Sequence, residues 1–557
     1  MQLIECVPNF SEGQNLAIID SITDVIKSIE NVQLLDVDPG ADTNRTVVTF
    51  VGEPKPVIDA AFLAIKKASE LIDMRNHTGA HARMGATDVC PLVPVSNISM
   101  EETVEWSKKL ADRVARELNI PIFLYEYSAE SKDRSNLADI RQGEFEGMGE
   151  KILLPEWKPD YGPHQIHETA GTTAIGARNF LIAYNINLNT MDKKIATDIA
   201  LDIREKGRFK RDKSGKVIRG DDGKILRVPG TLNACKAVGW YIDEYKQAQV
   251  SMNLVNFEIT PPQLAFEEVR AQARKRGVRV TGSELVGLIP LQAMLDIGIH
   301  YLEKQKRSEG ISEGDILQIA IKSLGLDEIA DFDPKEKIIE YQIKEKYGPL
   351  VNMKVDAFAD ELSSDSPAPG GGSVSALIGA MGGALSAMVA NLTINKKGFE
   401  NQFNQMNDLA VNGQSVKTQL LNLIDEDTEA FNDVMAAFRL PKKSDEQKQF
   451  RDKSIQEATK NASKVPFDIL QKCISGMDLA LEAALHGNPN SITDAGVAGE
   501  ALFAGAKGAF LNVRVNLLDI RDEAFCTKMV DEGNALIEKG QSLLSKIQSE
   551  VESKLNG

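Results

Sequence analysis

The sequence predicts a multidomain protein in which two α/β subdomains of the α+β sandwich type precede an all-α helical-bundle domain. At 557 residues the chain is too long for a single hydrophobic core. Up to about residue 340, short β-branched runs alternate with helical stretches, the pattern of sheets covered by helices. From about residue 350 onward the β signals vanish and long helical periodicities remain, which predicts the bundle.

Short apolar runs rich in β-branched residues predict the strands of the first half. They cover 2–7, 32–37, 46–51, 89–95, 122–127, 180–186, 251–256 and 278–280. Helices are predicted between them, over 16–29, 57–72 and 100–118. Ser11 and Gln14 have capping-box spacing before the first helix. The order strand–helix–strand–strand–helix–strand recurs loosely after residue 180, so each subdomain should hold a mostly antiparallel sheet.

These patterns predict two α/β subdomains over 1–180 and 181–341, a linker over 342–349 and the helical domain over 350–557. The basic, turn-rich stretch 206–230 is predicted to be a solvated hairpin, with a positive arm for an acidic substrate as the alternative. Gly, Ala and Ser dominate the helix over 373–393. Its polar residues favour close packing in a bundle over a membrane span.

Composition excludes several classes of protein. A net charge of −17 disfavours nucleic-acid binding, which needs a basic surface. The N-terminal run has neither a basic region nor a long apolar core, so no secretory signal is expected. Five scattered cysteines fit neither a metal-ligand spacing nor a disulfide framework. We therefore expect reduced thiols, no metal, no membrane and a cytoplasmic protein.

A glycine-rich segment over 76–88 holds two of the six histidines and runs into an apolar strand. His81 is a candidate acid/base, because histidine transfers protons near neutral pH. Its candidate acid partners are Asp36, Asp38 and Asp88, and His77 competes with it for the role. Zinc binding by both histidines is the metal alternative, but nearby proline and glycine disfavour the helix that this spacing needs.

Asp427 occupies a core-facing position in a predicted helix around 414–438. Leu420, Asp427 and Val434 are spaced seven residues apart in an apolar stripe. Burial favours the neutral form of a carboxyl group, so Asp427 can hold a proton and act as a general acid. The alternative is a structural aspartate bonded to a helix terminus or an arginine. Asp425, Glu426 and Glu429 are predicted to face water.

A second helix is predicted near 499–524, with polar residues on one face at spacings of four, three and four. These residues are Asn512, Asn516, Asp519 and Glu523. Such a stripe suits the edge of a heteroaromatic ring, and the alternative is an exposed face or a bundle interface. The loop 162–171 is predicted to form a lip over a ligand. Residues 370–373 precede a helix but lack the Walker lysine, which disfavours a nucleotide.

Several long segments closely resemble the bifunctional formimidoyltransferase-cyclodeaminase family of folate-dependent histidine degradation. They are 5–13, 79–91, 176–178 with 185–188, 368–374, 425–431 and 512–525. The resemblance covers essentially the whole chain. It implies that His81 is the transferase acid/base, that Asp38 is a further active-site acid, and that Asp427 is the cyclodeaminase proton donor.

The resemblance also implies a folate site at the loop 162–171. Its residues are Gly162, Pro163, His164, Gln165, Ile166, His167, Glu168, Thr169, Ala170 and Gly171. The interior of this loop varies in the family, so Gly162, Pro163 and Gly171 carry over best. The polar stripe of Asn512, Asn516 and Asp519 is the expected substrate site in the helical domain. The insertion 206–230 is longer than in many relatives.

The implied reaction has two steps, with tetrahydrofolate as co-substrate and no metal. The formimidoyl group of N-formimidoyl-L-glutamate passes to tetrahydrofolate. The tetrahydrofolate can carry a polyglutamate tail. The product then cyclises to 5,10-methenyltetrahydrofolate and releases ammonia. Self-association through both the transferase and helical domains is expected. The alternatives are an enzyme with one live activity, or a folate-binding or scaffold protein without turnover.

Overall fold

The computed structural model describes residues 2–41, 44–79, 82–243, 245–343 and 347–556. The predicted fold class is confirmed, because an α/β region precedes an all-helical region. The chain divides into two compact units, Met1–Ala293 with Leu324–Lys344, and Met294–Ser323 with Glu345–Gly557. Residues 294–323 thus pack with the helical region, whereas the domain limits predicted above stay a prediction.

The N-terminal subdomain is a sheet with helices on its faces. Its elements are β1 Leu3–Cys6, β2 Asn9–Phe10, α1 Leu16–Lys27, β3 Val32–Gly40, β4 Arg45–Gly52, α2 Pro54–Leu71, β5 Thr87–Ser96, α3 Met100–Leu118, β6 Ile122–Leu124, α4 Leu137–Ile140, α5 Glu144–Lys151 and β7 Thr173–Ala177. Strands β1 and β2 together lie between β4 and β5, and β3 pairs with the outer side of β4. These pairs are antiparallel, as predicted. The β5–β7–β6 side is parallel, because α3 carries the chain back across the sheet.

Side-chain alternation in β1 decides what each face of this sheet carries. Ile4 and Cys6 are buried in the core beneath the helices. Because successive strand residues point to opposite faces, Glu5 lies on the other face. The first helix is capped by Asn15, whose side chain accepts the backbone N–H of Ala17. The predicted capping box at Ser11 is wrong, since its hydroxyl donates to a distant carbonyl instead.

The second subdomain has a βαββαβ order. Its elements are β8 Ile182–Leu188, α6 Lys193–Ile203, β9 Arg208–Phe209, β10 Arg227–Val228, β11 Cys235–Ile242, β12 Gln247–Leu254, α7 Pro262–Lys275 and β13 Val280–Val286, followed by α8 Leu291–Lys304, α9 Glu313–Leu324, α10 Pro334–Lys337 and α11 Ile339–Ile343. The antiparallel sheet has the order β11-β12-β8-β13, a ferredoxin-like arrangement. The insertion 206–230 is an exposed hairpin built on β9 and β10, as predicted.

The helical unit contains α12 Val355–Leu362, α13 Gly371–Ile394, α14 Phe403–Arg439, α15 Asp445–His486, α16 Ile492–Leu517 and α17 Glu523–Asn556. Helix α13 packs against α14, α15 and α16. Gly379 lies against Cys473, and Gly382 lies against Leu502, so the small residues permit close approach as predicted. In the described chain α13 is long and apolar enough to cross a membrane, but most of that stretch is buried in the bundle.

The predicted helix over 499–524 is interrupted. Helix α16 ends at Leu517, and α17 begins at Glu523 after Asp522, whose carboxylate accepts the backbone N–H of Phe525 at 3.1 Å. Aspartate is a strong N-terminal cap, so the chain starts a new helix here. Asp519 therefore lies in the connection and does not share a helical face with Asn512, which corrects the predicted stripe.

Candidate active sites

Asp427 of α14 lies at the N-terminus of α13. The hydroxyl of Ser373 donates to a carboxylate oxygen of Asp427 at 3.3 Å and to the carbonyl of Ile424 at 2.9 Å. The backbone N–H of Ser373 also donates to the carboxylate. A side chain at Gly372 would overlap this carboxylate, so the glycine loop admits the acid. The predicted acid and the glycine turn of residues 370–373 thus form one site.

Two effects act in opposite directions on the proton of Asp427. Burial raises the pKa of this carboxyl group above its ordinary range, and the two hydrogen bonds from Ser373 lower the pKa by less. Bonding to a helix terminus was the structural alternative, and this contact is present. It does not cancel the effect of burial, so the carboxyl group keeps the tendency to hold a proton that a general acid needs.

The predicted polar partners of this site are only partly brought together. Asn512 lies beside Gly371, and its amide donates to the carbonyl of Gly508 in its own helix. Asn516 donates to the carbonyl of Ala462 at 2.7 Å, which ties α16 to α15. Asn516 therefore fits the alternative of a bundle interface, and only Asn512 of the stripe lies at the glycine turn that holds the acid.

Asp425 is buried, and the prediction that it faces water is wrong. One carboxylate oxygen accepts the backbone N–H of Leu350 at 2.9 Å, and the other accepts that of Val351 at 3.3 Å. Gly348 leaves room for the carboxylate. The helical periodicity could not reveal this, because the partners come from a segment 74 residues earlier in the chain.

The predicted catalytic His81 lies outside the described residues, between two anchored stretches. On one side, Nε2 of His77 donates to the carbonyl of Asn44 at 2.9 Å, and Nδ1 accepts from Arg83 at 3.3 Å. Both ring nitrogens of His77 are thus engaged, which disfavours its use as a zinc ligand. Arg83 in turn holds the carboxylate of Glu146 at 2.7 Å.

The three acids proposed as partners of the loop histidine have different surroundings. Asp88 is fully buried, accepts the backbone N–H of Met84 at 2.9 Å and forms an ion pair with Arg141. Asp36 and Asp38 are exposed on β3. The carboxylate of Asp88 therefore fixes the backbone at Met84, while the carboxylates of Asp36 and Asp38 are accessible to a ligand.

The loop 162–171 closes on itself and packs beside the histidine segment. Backbone bonds of 2.9 and 3.2 Å join His167 and Gly171, and Nδ1 of His167 accepts the N–H of Ala170. Gly162 and Gly171 both have positive φ, at 89° and 71°, which favours glycine. The two predicted glycines therefore shape the loop.

Contacts of this loop with residues 74–86 bring it to the histidine segment. The carbonyl of Thr169 accepts the N–H of Met74, and Glu168 forms an ion pair with Arg75 at 2.7 Å. Ala170 is buried. The remaining predicted residues are exposed or half-buried along the outer part of the loop, namely Pro163, His164, Gln165 and Ile166. This outer part is accessible to a ligand.

A cavity of about 500 Å³, which the sequence did not predict, opens where the two subdomains meet. The open face of the first sheet supplies Glu5, Asp36 and Thr49, and the second subdomain supplies residues such as Val286 and Lys337. Glu5 is only 5% exposed. Burial raises the pKa of Glu5 to about 7, against a smaller lowering by Arg178. The feature of the sequence that points to this cavity is Glu5, an acidic residue within an otherwise apolar strand.

A second cavity of about 460 Å³ shares Arg178 with the first. Glu126, Lys236 and Asn256 also line it. Glu126 has a φ of 51°, which is unusual for a residue other than glycine, and burial raises the pKa of its carboxyl group. Arg178 therefore faces two cavities that each hold a carboxyl group with a raised pKa, as is common at functional sites.

Comparisons with known proteins agree with this geometry. The model of the formiminotransferase domain, N-terminal subdomain, matches residues 3–178, that of the formiminotransferase domain matches 183–344, and that of formiminotransferase-cyclodeaminase matches 354–535. The formimidoyltransferase-cyclodeaminase of Rattus norvegicus is 40% identical over 99% of both chains. That of Dictyostelium discoideum is 42% identical over 98% of both. The glutamate formimidoyltransferase of Streptococcus pyogenes serotype M1 is 48% identical, over 54% of this chain and 94% of that one.

An α/β half with a polar cavity, joined to a helical half with a buried acid, defines an enzyme with two catalytic parts. Its class is that of bifunctional folate-dependent transferases and ammonia-lyases. The chain belongs to the formimidoyltransferase-cyclodeaminase family.

Removing the hydroxyl of Ser373 tests the balance at Asp427. Ser373→Ala deletes a donor that stabilises the ionised carboxylate while burial remains, so the pKa of Asp427 should rise further above its ordinary value. Carbon-13 NMR of labelled aspartate follows this titration. Ser386→Ala is the matched control, because Ser386 is buried in the same helix and its hydroxyl donates to the carbonyl of Gly382, one turn earlier. An unchanged pKa in both variants would contradict the assigned balance.

Glu5 should make the stability of the first unit depend on pH. Its folded pKa of about 7 lies above the ordinary 4.5, so the ionised form destabilises the fold. The cost is absent below about pH 4.5 and complete above about pH 7, where it amounts to about 3 kcal/mol. Glu5→Gln should therefore be more stable than the natural protein at pH 8, with little difference at pH 4.5.

Hydrogen exchange of the β1 amides measures this difference at both pH values. Glu53→Gln is the control, because Glu53 is exposed and its side chain makes no cap hydrogen bond. Equal protection of the natural protein and of Glu5→Gln at pH 8 would contradict the prediction, because it would show that ionised Glu5 does not destabilise the fold.

Proposed function

We propose that this protein transfers the formimidoyl group of N-formimidoyl-L-glutamate to tetrahydrofolate and then cyclises the product. Nitrogen N5 of tetrahydrofolate attacks the formimidoyl carbon, and His81 takes the N5 proton. The C–N bond to glutamate then breaks as His81 gives a proton to the departing nitrogen, so that glutamate leaves as the free amine. Nitrogen N10 then attacks the same carbon in the helical unit. Asp427 protonates the departing amine, so that ammonia leaves and 5,10-methenyltetrahydrofolate remains. Ammonia is a far better leaving group than the amide anion, which is why an acid is needed.

The environment of Asp427 is the observation that carries the proposal. A half-buried carboxyl group whose pKa is raised by burial holds a proton at a higher pH than an exposed aspartate. The neighbouring glycine turn leaves space beside it, and Asn512 lies at the same turn. Activity that needs the protonated acid should therefore fall as pH rises through this pKa.

The transferase half is supported by the surroundings of the histidine segment. Arg83 and the loop 162–171 anchor the stretches on either side of His81, and Asp38 stays accessible as a further acid. A rigid frame around a short loop is a common way to present a catalytic side chain. The cavities lined by Arg178 offer positive charge to the carboxylates of the donor and of folate.

Separate substitutions test the two steps. His81→Ala should lower formimidoyl transfer by about 100- to 10,000-fold and spare ammonia release from supplied 5-formimidoyltetrahydrofolate. Asp427→Asn should do the reverse, because the amide has no acidic proton but nearly the same shape. Both rates are measured on the full-length chain.

Each variant is the folding control of the other. Loss of both steps in either variant would contradict the assignment of one residue to each half. A natural protein that binds tetrahydrofolate but catalyses neither step would support the alternative of a binding or scaffold protein.

We also propose that the hairpin of residues 206–230 attracts a polyglutamate tail. Its lysines Lys210, Lys213, Lys216 and Lys224 are exposed, while Arg208 is engaged with Asp198 and Asp202. Exposed positive charge raises the local concentration of an anionic substrate in an otherwise acidic protein.

Changing these lysines to glutamine should raise the KM for polyglutamated tetrahydrofolate several-fold and leave that for the monoglutamate unchanged. Steady-state transfer rates at low salt measure both constants. The control changes the exposed lysines Lys55, Lys66, Lys109 and Lys275, which lie outside the hairpin. An equal rise for both folates, or an equal effect of the control set, would exclude a role for the hairpin.

Self-association and a cytoplasmic location complete the proposal. Exposed apolar side chains on the helical unit support self-association, among them Met381, Leu392 and Leu511. The transferase domain is proposed to contribute a second contact. The cytoplasmic location rests on the scattered cysteines.

A further inference from the structure

The carboxyl group of Glu5 is buried at the edge of a cavity without a hydrogen-bond partner among the described residues. It sits in the middle of β1, opposite Val51 of β4 and Val93 of β5, on the face that the helices leave open. The guanidinium of Arg178 acts on it electrostatically, but Nη1 of Arg178 donates to the carbonyl of Asn179 instead. A buried carboxyl group without hydrogen bonds costs free energy. A bound ligand that donates hydrogen bonds to Glu5 would offset this cost.

The pKa of Glu5 agrees with this geometry. Burial raises it to about 7 although Arg178 lies nearby. A carboxylate held by a bidentate arginine would instead have a lowered pKa. The side chain is therefore not half of a structural ion pair, and it presents two acceptor oxygens to the cavity.

The cavity limits what this partner can be. Its volume is about 500 Å³, which suits a small molecule, and it combines apolar walls from Leu35, Phe180 and Leu288 with charges from Arg178 and Lys337. Along β4, Glu5 lies at the level of Val51 and the predicted catalytic Asp38 at the level of Val47. Four residues of strand correspond to about 13 Å. A ligand bound at Glu5 is therefore about 13 Å along β4 from the level of Asp38.

We propose that Glu5 binds the N–C–N edge of a transferase substrate, with each carboxylate oxygen accepting one N–H. This inference rests on the function proposed above. Two sources offer that chemistry. The pterin ring of tetrahydrofolate presents a ring N–H beside its 2-amino group. The donor presents the imino nitrogen of its formimidoyl group and the glutamate nitrogen bonded to the same carbon. Arg178 and Lys337 then face the remaining polar atoms of the bound molecule.

The steady-state kinetics of full-length Glu5→Gln test the inference. Glutamine replaces one acceptor by a donor that opposes a ligand N–H, so the KM of one substrate should rise at least about tenfold. The KM of the other should stay within about twofold. A rise for tetrahydrofolate assigns the edge to the pterin, and a rise for N-formimidoyl-L-glutamate assigns it to the donor.

Ligand analogues provide a second test on the natural protein, which does not depend on a variant folding. The 2-desamino-2-methyl analogue of tetrahydrofolate lacks the amino donor, and N-formyl-L-glutamate lacks the imino N–H. One of them should bind at least about tenfold more weakly than its parent to the natural protein, and about equally to Glu5→Gln. Isothermal titration measures both affinities.

Two outcomes overturn the inference. One is unchanged KM values for both substrates in an active Glu5→Gln enzyme. The other is natural protein that binds both analogues as tightly as their parents. Glu53→Gln should leave every constant unchanged. Ammonia release in the helical unit should persist in Glu5→Gln. If the natural protein performs no transfer at all, the proposed function itself is wrong. Failure of the inference about Glu5 is thus distinguishable from failure of the proposed function.

Discussion

The cost of burying a carboxyl group among apolar residues governs both halves of this protein. In the helical unit, burial at Asp427 outweighs the stabilising bonds from Ser373, so the group tends to keep its proton. In the α/β unit, burial at Glu5 outweighs the attraction of Arg178. Each acid lies within a regular element, Glu5 in β1 and Asp427 in α14. The chemistry therefore follows from where a strand or helix places an acid.

Other buried acids show how the same cost is met when no chemistry is intended. Asp425 accepts two backbone N–H groups, and Asp88 combines a backbone bond with an ion pair to Arg141. These groups have partners that satisfy their oxygens, and they hold segments in place. Asp425 and Asp427 are two residues apart in one helix, yet one closes a turn and the other faces the glycine loop. Asp425 is held by two backbone N–H groups of a distant segment, whereas both hydrogen bonds to Asp427 come from Ser373 and leave its pKa raised by burial.

Glycine decides whether a side chain can approach the backbone in these sites. Gly372 admits the carboxylate of Asp427, and Gly348 admits that of Asp425. In the transferase half, the positive φ of Gly162 and Gly171 shapes the loop beside the histidine segment. At each of these positions a residue with a Cβ atom would either collide with a neighbour or have a strained backbone conformation. The glycine-rich motifs of the sequence are thus spatial requirements of the sites.

The sequence by itself determined the fold class, because the periods of two and 3.6 residues that distinguish strands from helices are local properties. It also placed Asp427 in a buried seam, since one helix carries both the acid and its apolar neighbours. Only the tertiary structure decided what depends on distant segments. It ended α16 before Asp519, turned Asp425 inward to meet Leu350, and joined Asn516 to a neighbouring helix. Glu5 and Arg178 meet at one cavity although more than 170 residues separate them, because sheet pairing, which periodicity does not encode, brings their strands together.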